Sequence, residues 1–359
     1  MQKRIVIKIG SNVITDSEDL IDKKRLSLLV AQTVALYEKG IDVLLVSSGA
    51  VAIGKLNKKK ISKNIDIISE RQIYASIGQI KLMETYCNLF SKYGITCGQI
   101  LVTKEDFIDR KRYLNIRNCT ENLLKNKIIP IVNENDVISI NELMFTDNDE
   151  LSGLFANMIG ADDLYILTNV DGIYDGNPND FDSKVIKFII KDISDIIKSS
   201  SREKSEFGRG GIITKYNTAY KTSKLGVNVF IANGTKNNII TDLYNRNAVS
   251  TMFPASKKTL GVKKWLAYSD EIAEGELYID KKAKEALQSN LATSLLLVGV
   301  NEIKNNFKKG ALVKIIDENN KVIGVGISNY DSDEAKKLMG KKNIKPIVHY
   351  DYLHLTANK

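Results

Sequence analysis

Short apolar runs alternate with longer stretches of mixed polarity through residues 1–255 of the chain. The apolar runs are rich in Val, Ile and Leu, as in strands that are buried on both faces. Between them, apolar residues recur three and four positions apart, for example at Leu26, Leu29 and Val30. This alternation predicts an α/β domain whose mostly parallel sheet is sandwiched by helices.

The same pattern places the elements of this first domain. Strands are predicted at residues 5–9, 42–47, 99–103, 128–133, 163–168 and 228–232, and helices at 23–39, 69–92, 112–125, 151–159 and 214–225. Polar residues and glycines cluster just after several of these strands. Ligands of open parallel sheets bind beyond the carboxyl ends of the strands, so we expect the functional site there.

The pattern changes after residue 255, where short strands and turns replace the long helices. We assign residues 256–272 to a linker and residues 273–359 to a second, small, mainly-β domain. The predicted elements of this domain are strands at 276–279, 294–300, 312–316 and 322–328, with one helix at 281–288.

Composition sets the broad class of the protein. A chain of 359 residues with 43% hydrophobic and 26% charged residues is typical of a globular protein with about two domains. It contains no run of about 18 apolar residues, so we expect no membrane-spanning helix. The early first strand leaves no room for a signal peptide, and three cysteines fit a reducing compartment, so we expect a cytoplasmic protein.

Two further features of the composition bear on function. The only histidines are His349 and His354, which excludes a multi-histidine metal site or a histidine-based triad in the first domain. The net charge of +9 is compatible with a solvated lysine-rich surface or with an RNA-binding face. Since lysine is abundant along the whole chain, the solvated surface is the simpler interpretation.

The first strand contains a charged residue in an apolar run. Lys8 interrupts a run of isoleucine and valine, and Gly10 and Ser11 follow at once. A lysine in a buried strand is costly unless its ammonium reaches an anion. The segment therefore predicts a phosphate site, the alternative being an edge strand with a solvated lysine.

Two more strand ends carry polar or small residues. Small residues at 47–50, including Ser48, expose backbone N–H groups that suit an anionic ligand. The polar clusters at 133–136 and 146–149 can hold an ammonium group, position a lysine or take part in magnesium binding. A polar surface loop remains the alternative for the latter clusters.

A glycine-rich segment at 207–215 precedes a predicted helix and ends in Lys215. It lacks the Gly-Lys-Ser/Thr ending of a Walker A loop. With the polar run before it, this segment is either a lid over a phosphate site or a flexible linker. Two lysines and glycine loops without a histidine base favour phosphoryl transfer. A carboxylate acceptor fits best, because it is ionised at pH 7 and needs no general base.

Six motifs in this order resemble the amino acid kinase family. They are Lys8-Ile-Gly-Ser, Val46-Ser-Ser-Gly-Ala, Asn133-Glu-Asn-Asp, Asp147-Asn-Asp, Leu167-Thr-Asn-Val-Asp-Gly-Ile-Tyr with Asn177-Pro, and Gly208-Arg-Gly-Gly-Ile-Ile-Thr-Lys. Residues 275–280, 294–300 and 307–310 are similar to a PUA domain, a pseudo-barrel common in RNA-modifying proteins. The resemblance implies an amino acid kinase fold followed by a PUA-like domain.

The resemblance also implies a reaction, in which ATP with Mg²⁺ phosphorylates the γ-carboxylate of L-glutamate for proline synthesis. By the same resemblance, Lys8 and Lys215 contact the transferring phosphate and Asp149 orients the two lysines. The glutamate-binding residues would be Ser48, Asp136 and Asn148. The nucleotide-binding residues would be Lys8, Gly10, Ser11, Thr168, Asn169, Arg209, Gly210, Gly211, Ile212, Ile213, Thr214 and Lys215, with Gly10 and Ser11 offering backbone donors.

Some implied properties depend on the resemblance alone, among them a homo-oligomeric state and inhibition by proline. The chain departs from the family pattern at Thr146, Asn169 and Arg209, and Asn169 lacks the carboxylate that is common there. Two alternatives stay open: a related kinase for N-acetylglutamate, aspartate or carbamate, and an RNA-binding protein that works through its C-terminal domain. The PUA-like domain disfavours the first, because those kinases do not usually carry it.

Overall fold

A computed structural model of the chain describes residues 2–15, 20–55, 65–139, 148–176, 180, 182–193, 209–256, 266, 273–289, 293–341 and 344–355. The chain forms two compact units, Met1–Lys258 and Thr259–Lys359. Each unit has its own sheet and its own cluster of buried apolar side chains.

The first unit is built on a seven-stranded sheet. Its strands are β1 (Arg4–Ile9), β2 (Asp42–Ser47), β3 (Cys97–Val102), β4 (Ile129–Glu134), β5 (Asp163–Thr168), β6 (Asn228–Asn233) and β7 (Ser250–Phe253). Their order is β3-β4-β2-β1-β5-β6-β7, and every neighbouring pair is parallel except β6 with β7. The predicted mostly parallel sheet is confirmed. Since β1 lies at the centre of it, the edge-strand interpretation of Lys8 is wrong.

Among the described residues, nine helices connect these strands. They are α1 (Ser11–Ile14), α2 (Lys23–Glu38), α3 (Ala50–Gly54), α4 (Ile67–Ser91), α5 (Lys104–Ile108), α6 (Arg110–Lys125), α7 (Asn148–Met158), α8 (Arg209–Lys224) and α9 (Ile239–Tyr244). Asp66 caps α4 by accepting a hydrogen bond from the Ser69 amide, which starts this helix two residues before the predicted position. None of these helices is long and apolar enough to cross a membrane.

Two helices begin earlier than the sequence predicts, and both changes affect the site. Helix α7 begins at Asn148 rather than at residue 151, so Asn148 and Asp149 lie in its first turn. Helix α8 begins at Arg209 rather than at residue 214, so Gly210 and Gly211 belong to the helix. Glycines favour loops in a sequence-based prediction because they lower helix propensity, and here tertiary structure overrides that preference.

The close contact between α3 and α4 depends on two glycines. A Cβ added to Gly78 would lie 1.8 Å from the Ala50 carbonyl oxygen, and one added to Gly54 would lie 1.9 Å from the Tyr74 carbonyl oxygen. Only glycine permits such an approach of two backbones. This contact fixes α4 beside the residues that follow β2.

The second unit contains a five-stranded sheet and two helices among its described residues. These elements are β8 (Gly275–Ile279), α10 (Lys281–Gln288), β9 (Val300–Lys304), β10 (Leu312–Ile316), β11 (Val322–Ser328), α11 (Ser332–Leu338) and β12 (Val348–Leu355). The strand order is β12-β11-β10-β8-β9. The mainly-β prediction is confirmed.

One predicted strand of the second unit is wrong. Within residues 294–300, Leu295 makes an isolated bridge to Val348, and Leu297–Gly299 is a 3₁₀ turn that leads into β9. The Gly299 amide donates a hydrogen bond to the Leu296 carbonyl, which turns the chain there. The apolar run is part of the core without belonging to the sheet, and an apolar pattern alone does not distinguish these two cases.

Candidate active site

The carboxyl ends of β1, β2, β4 and β5 border a cleft of about 780 Å³. Helices α1, α3, α4, α7 and α8 contribute the remaining wall. The polar side chains that line the cleft are Lys8, Ser11, Asn12, Ser48, Lys55, Glu70, Arg71, Tyr74, Asn133, Glu134, Asp136, Asn148, Thr168 and Lys215. The cleft lies at the strand ends at which a parallel sheet commonly binds its ligands.

Two lysines share one carboxylate at the base of the cleft. The Lys8 Nζ lies 2.5 Å from Asp149 Oδ1, and the Lys215 Nζ lies 2.7 Å from Asp149 Oδ2. Asp149 is fully buried, and Lys8 is only 4% exposed. The three groups carry one net positive charge in a place of low solvent access, where an anion is attracted more strongly than in water.

This cluster is assembled from three distant parts of the chain. Lys8 lies near the end of the central strand β1, Asp149 in the first turn of α7, and Lys215 in the second turn of α8. The position of Asp149 suits a carboxylate, because the helix N-terminus stabilises negative charge. The structure therefore brings together all three residues that the resemblance assigns to catalysis.

A chain of amide hydrogen bonds holds the second half of the predicted site. The Asn148 Nδ2 contacts Ser48 Oγ at 2.9 Å, the Ser47 carbonyl at 3.0 Å and Asn133 Oδ1 at 2.9 Å. The Asn133 Nδ2 in turn donates to Gln79 Oε1 at 2.8 Å. This hydrogen bond sets the amide orientation of Asn133, and through it that of Asn148. Gln79 on α4 was not among the residues that the sequence singled out.

Asp136 lies in the cleft but is already paired with a cation. The Arg71 Nη2 contacts Asp136 Oδ1 at 2.9 Å, and the neighbouring Gln72 Nε2 donates to the Val137 carbonyl at 2.7 Å. Helix α4 thus anchors the segment after β4. No sequence pattern pointed to Arg71, because an isolated arginine on a polar helix face is usually solvated.

Tyr74 and Glu70 form a second pair on the cleft-facing side of α4. The Tyr74 hydroxyl donates to Glu70 Oε1 at 2.6 Å. This hydrogen bond raises the pKa of Tyr74 to about 12. The hydroxyl is therefore neutral at physiological pH and lines the cleft as a polar, uncharged group.

Only some of the described residues predicted to bind nucleotide line the cleft. Gly10, Ser11, Thr168 and Lys215 line the cleft. The Gly10 amide, however, donates to the Leu167 carbonyl at 3.1 Å, so this N–H is engaged within the sheet, and its contact with a phosphate stays a prediction. The acceptor, the Leu167 carbonyl, belongs to β5, so this hydrogen bond joins the end of β1 to β5. The sequence alone does not show that these two strands are neighbours.

Other predicted nucleotide residues lie beside the cleft. Asn169 is exposed just after β5, where its Oδ1 accepts a hydrogen bond of 3.3 Å from the Thr168 hydroxyl. Ile212, Ile213 and Thr214 are half-buried in the first turns of α8, and Arg209, Gly210 and Gly211 are described only as backbone of that helix.

Several predicted features fall outside the described residues. They are the polar residues 146–147, the motif at 177–178, most of the linker at 256–272 and the possible lid or linker up to residue 208. Within the described part of the chain, no group of three or more His, Cys, Asp or Glu side chains could hold a metal ion.

Comparison with known proteins adds independent evidence. The family profile "Amino acid kinase family" matches residues 3–233, and the profile "PUA domain" matches residues 275–350. The chain is 46% identical to a protein of Bacteroides thetaiotaomicron named glutamate 5-kinase, over 98% of each chain. It is 44% identical to a glutamate 5-kinase of Chlorobaculum tepidum, over 98% of this chain and 97% of that one.

A solved structure shares the fold. Carbamate kinase from Giardia lamblia bound to AMP-PNP superposes with a TM-score of 0.52 at 18% identity, over 71% of this chain and 99% of that one. At this identity the likeness concerns the fold alone. The sequence relatives and the family profile are therefore the comparisons that bear on activity.

Proposed function

The chain belongs to the amino acid kinase family, and we propose that it acts as a glutamate 5-kinase, which transfers the terminal phosphate of ATP to the γ-carboxylate of L-glutamate. The product is γ-glutamyl phosphate, and the reaction is the first step of proline biosynthesis. The observation that carries the proposal is the clamp of Lys8 and Lys215 on the buried Asp149. This clamp places two positive charges beside two polar subsites at the carboxyl ends of the strands.

The lysines act by electrostatic stabilisation. The transferred phosphoryl group spreads negative charge over its oxygens, so the protein contributes mainly positioning and charge neutralisation. Asp149 holds both ammonium groups in place before the phosphate enters, which avoids the cost of ordering them during the reaction. The γ-carboxylate has an ordinary pKa of about 4.3, so it attacks phosphorus as an anion without a general base.

We assign the glutamate subsite to Ser48, Asp136 and Asn148. The Asn148 Nδ2 has three acceptors within 3.0 Å for its two N–H bonds, so its carbonyl oxygen is the group that can meet a substrate. Asp136 gives one oxygen to Arg71, and its other oxygen can accept from the substrate ammonium. The subsite would then recognise a free amino group.

We assign the nucleotide subsite to Ser11, Thr168 and the first turns of α8, with Lys8 and Lys215 at its inner end. Bound Mg²⁺ would supply charge neutralisation on the phosphates of ATP. Asp149 is the carboxylate between the two lysines that we assign to the transferring phosphate, and both of its oxygens contact those lysines. The described residues therefore suit a magnesium ion held mainly by phosphates and water, as is usual for this cation.

The proposal extends to the organisation of the molecule. Residues 1–255 would form the catalytic domain, residues 256–272 a linker and residues 273–359 a PUA-like domain. We further propose a cytoplasmic homo-oligomer that proline inhibits by feedback. Light scattering and inhibition assays test these two properties. A primary role in RNA binding would instead appear as a gel shift that weakens steeply with salt.

The choice of acceptor tests the proposed reaction. ADP formation is measured with L-glutamate, N-acetylglutamate, aspartate and carbamate, and hydroxylamine traps any acyl phosphate as a hydroxamate. We expect L-glutamate alone to stimulate turnover and give hydroxamate. N-acetylglutamate is the sharpest control, because it keeps the γ-carboxylate but lacks the ammonium that Asp136 would bind. No stimulation by free L-glutamate would refute the proposal.

A further inference from the structure

Two cysteines of the first unit lie in direct contact, outside the cleft. Cys87 is in the second half of α4, and Cys97 is the first residue of β3. Their sulfur atoms are 3.1 Å apart. Both are free thiols in this structure, as is the exposed Cys119 on α6.

We propose that Cys87 and Cys97 form a reversible thiol-modification site, at which hydrogen peroxide or a low-molecular-weight disulfide converts the two thiols into an intramolecular disulfide. The sulfur atoms must approach by about 1 Å to reach the bond length of about 2.05 Å. A movement of this size needs only small changes in the side-chain torsions. The proposal goes beyond phosphoryl transfer and does not depend on it.

The backbone between the two cysteines keeps them together. The amides of Tyr93 and Ile95 both donate to the Phe90 carbonyl, which closes the turn from α4 into β3. Phe90 is fully buried in the core beneath this turn. Because the connection is short and anchored, the sulfur atoms stay in contact while the protein is folded.

The two thiols differ in access, which gives the reaction an order. Cys87 is exposed and meets an oxidant from solvent, whereas Cys97 is half-buried. Burial raises the pKa of the Cys97 thiol to about 12, so this group stays protonated at neutral pH until it reacts. The exposed Cys87 is therefore the thiol that reacts first, and Cys97 resolves the intermediate.

The chemistry balances with peroxide as the two-electron oxidant. The Cys87 thiolate attacks one oxygen, the O–O bond breaks, and a sulfenic acid and hydroxide form. The Cys97 thiol then attacks the sulfenic sulfur, the S–S bond forms and the S–O bond breaks, and the Cys97 proton leaves with the released hydroxyl group as water. In total, two thiols and one hydrogen peroxide give one disulfide and two molecules of water. With a low-molecular-weight disulfide, two equivalents of the small thiol leave instead.

The bond would join the C-terminal half of α4 to the beginning of β3. Arg71 lines the cleft and Gln79 contacts Asn133 in the cleft wall, and both lie about 12 Å or more along the helix from Cys87. Cys97 is likewise at the amino end of its strand, while the cleft is at the carboxyl ends. We therefore expect oxidation to stabilise the first unit while kinase activity stays within about twofold.

Peptide mapping of the full-length protein tests the proposal directly. Trypsin cleaves after Lys81, Lys92 and Lys104, so Cys87 falls in the peptide 82–92 and Cys97 in the peptide 93–104. After treatment with hydrogen peroxide or oxidised glutathione, we expect these peptides to appear joined, 2 Da lighter than their sum, and to separate with dithiothreitol. Both thiols remaining open to alkylation, or Cys87 ending as a sulfinic acid or a stable glutathione adduct, would overturn the proposal.

Matched variants complete the test. Cys87→Ser and Cys97→Ser should each abolish the joined peptide, and the rise of a few degrees in melting temperature that we expect on oxidation should disappear with it. Cys119→Ser should keep both. Crosslinking that survives in Cys97→Ser but is lost in Cys119→Ser would assign the reaction to Cys119 and refute the site.

Discussion

At the scale of single residues, Asp149 holds two positive charges of the cleft close together. The Lys8 and Lys215 ammonium groups would repel each other at this spacing. The shared Asp149 carboxylate offsets that repulsion. In the proposed reaction, the two lysines are therefore already positioned for the phosphates of ATP. By the proposed mechanism, removing either lysine removes positive charge from the transition state, and it also leaves the buried Asp149 carboxylate with one cation instead of two.

Lys215→Met tests this argument. The substitution keeps most of the side-chain volume and removes the ammonium, so we expect kcat to fall by about 10²-fold or more. Steady-state kinetics with ATP and L-glutamate measure the effect. Lys224→Met is the control, since Lys224 is exposed on the same helix, and it should keep kcat near that of the wild type. A near-normal kcat for Lys215→Met would place this lysine outside the reaction.

Asp136→Asn separates substrate binding from chemistry. The amide cannot offset the ammonium of glutamate, so we expect the KM for glutamate to rise by about tenfold or more, with a smaller change in the KM for ATP. Initial rates at varied glutamate and ATP give both constants. An effect confined to ATP would show that Asp136 does not belong to the glutamate subsite.

Gln79 tests whether the amide chain positions the substrate residues. Gln79→Met removes the acceptor for Asn133 and should raise the KM for glutamate severalfold, with little change in the KM for ATP. Gln79→Glu keeps an oxygen acceptor and should recover part of the loss. Equal effects of both variants on kcat and on both KM values would indicate a general loss of structure instead.

At the scale of elements, α4 links the fold to the site. It carries Arg71, Tyr74 and Gln79, and its position depends on the glycine contacts with α3. Sequence periodicity predicted this helix well, because a long amphipathic pattern is a strong signal. Its contribution to the site could not be predicted, since that depends on which strands it crosses in three dimensions.

Gly78→Ala tests the contact between α3 and α4. The added methyl group would meet the Ala50 carbonyl at 1.8 Å, so the helices must separate. We expect destabilisation of about 2 kcal/mol or more, because the steric cost exceeds the gain of about 1 kcal/mol in helix propensity. Thermal unfolding measures it as a lower melting temperature. Ser76→Ala, at an exposed position of the same helix, should change stability little, and an equally stable Gly78→Ala protein would contradict the observed packing.

Other elements show where sequence reasoning fails and why. The strands β2 and β5 were predicted to the residue, because buried strands leave an apolar run with sharp ends. Short helices such as α1 and α3 were missed, since four or five residues carry no readable period. Likewise, the role of the Gly10 amide depends on Leu167, a partner more than 150 residues away.

At the scale of the whole molecule, the two units have separate cores. The sheet of the first unit ends with β7, whose Phe253 is fully buried. Lys8, Lys215, Asp149 and the polar cleft residues all lie in this unit. The described contacts of the site therefore do not require the C-terminal unit.

A chain that ends after Lys258 should keep kinase activity within about tenfold of the full-length enzyme. This end point preserves β7 and removes the PUA-like unit. Circular dichroism establishes that the shortened protein is folded, and the glutamate-dependent assay measures its activity. Complete loss of activity in a well-folded protein would mean that the second unit takes part in catalysis.

The most direct test of the central claim is a single-turnover measurement of γ-glutamyl phosphate in the wild type and in Asp149→Asn. Enzyme in excess over ATP is mixed with saturating L-glutamate, and the acyl phosphate is trapped with hydroxylamine at each time point. We expect hydroxamate from the wild type and a rate at least about 10²-fold lower for Asp149→Asn, which no longer carries the charge that holds both lysines. An unchanged rate in Asp149→Asn, or ADP without hydroxamate in the wild type, would refute the proposed role of the two lysines and Asp149.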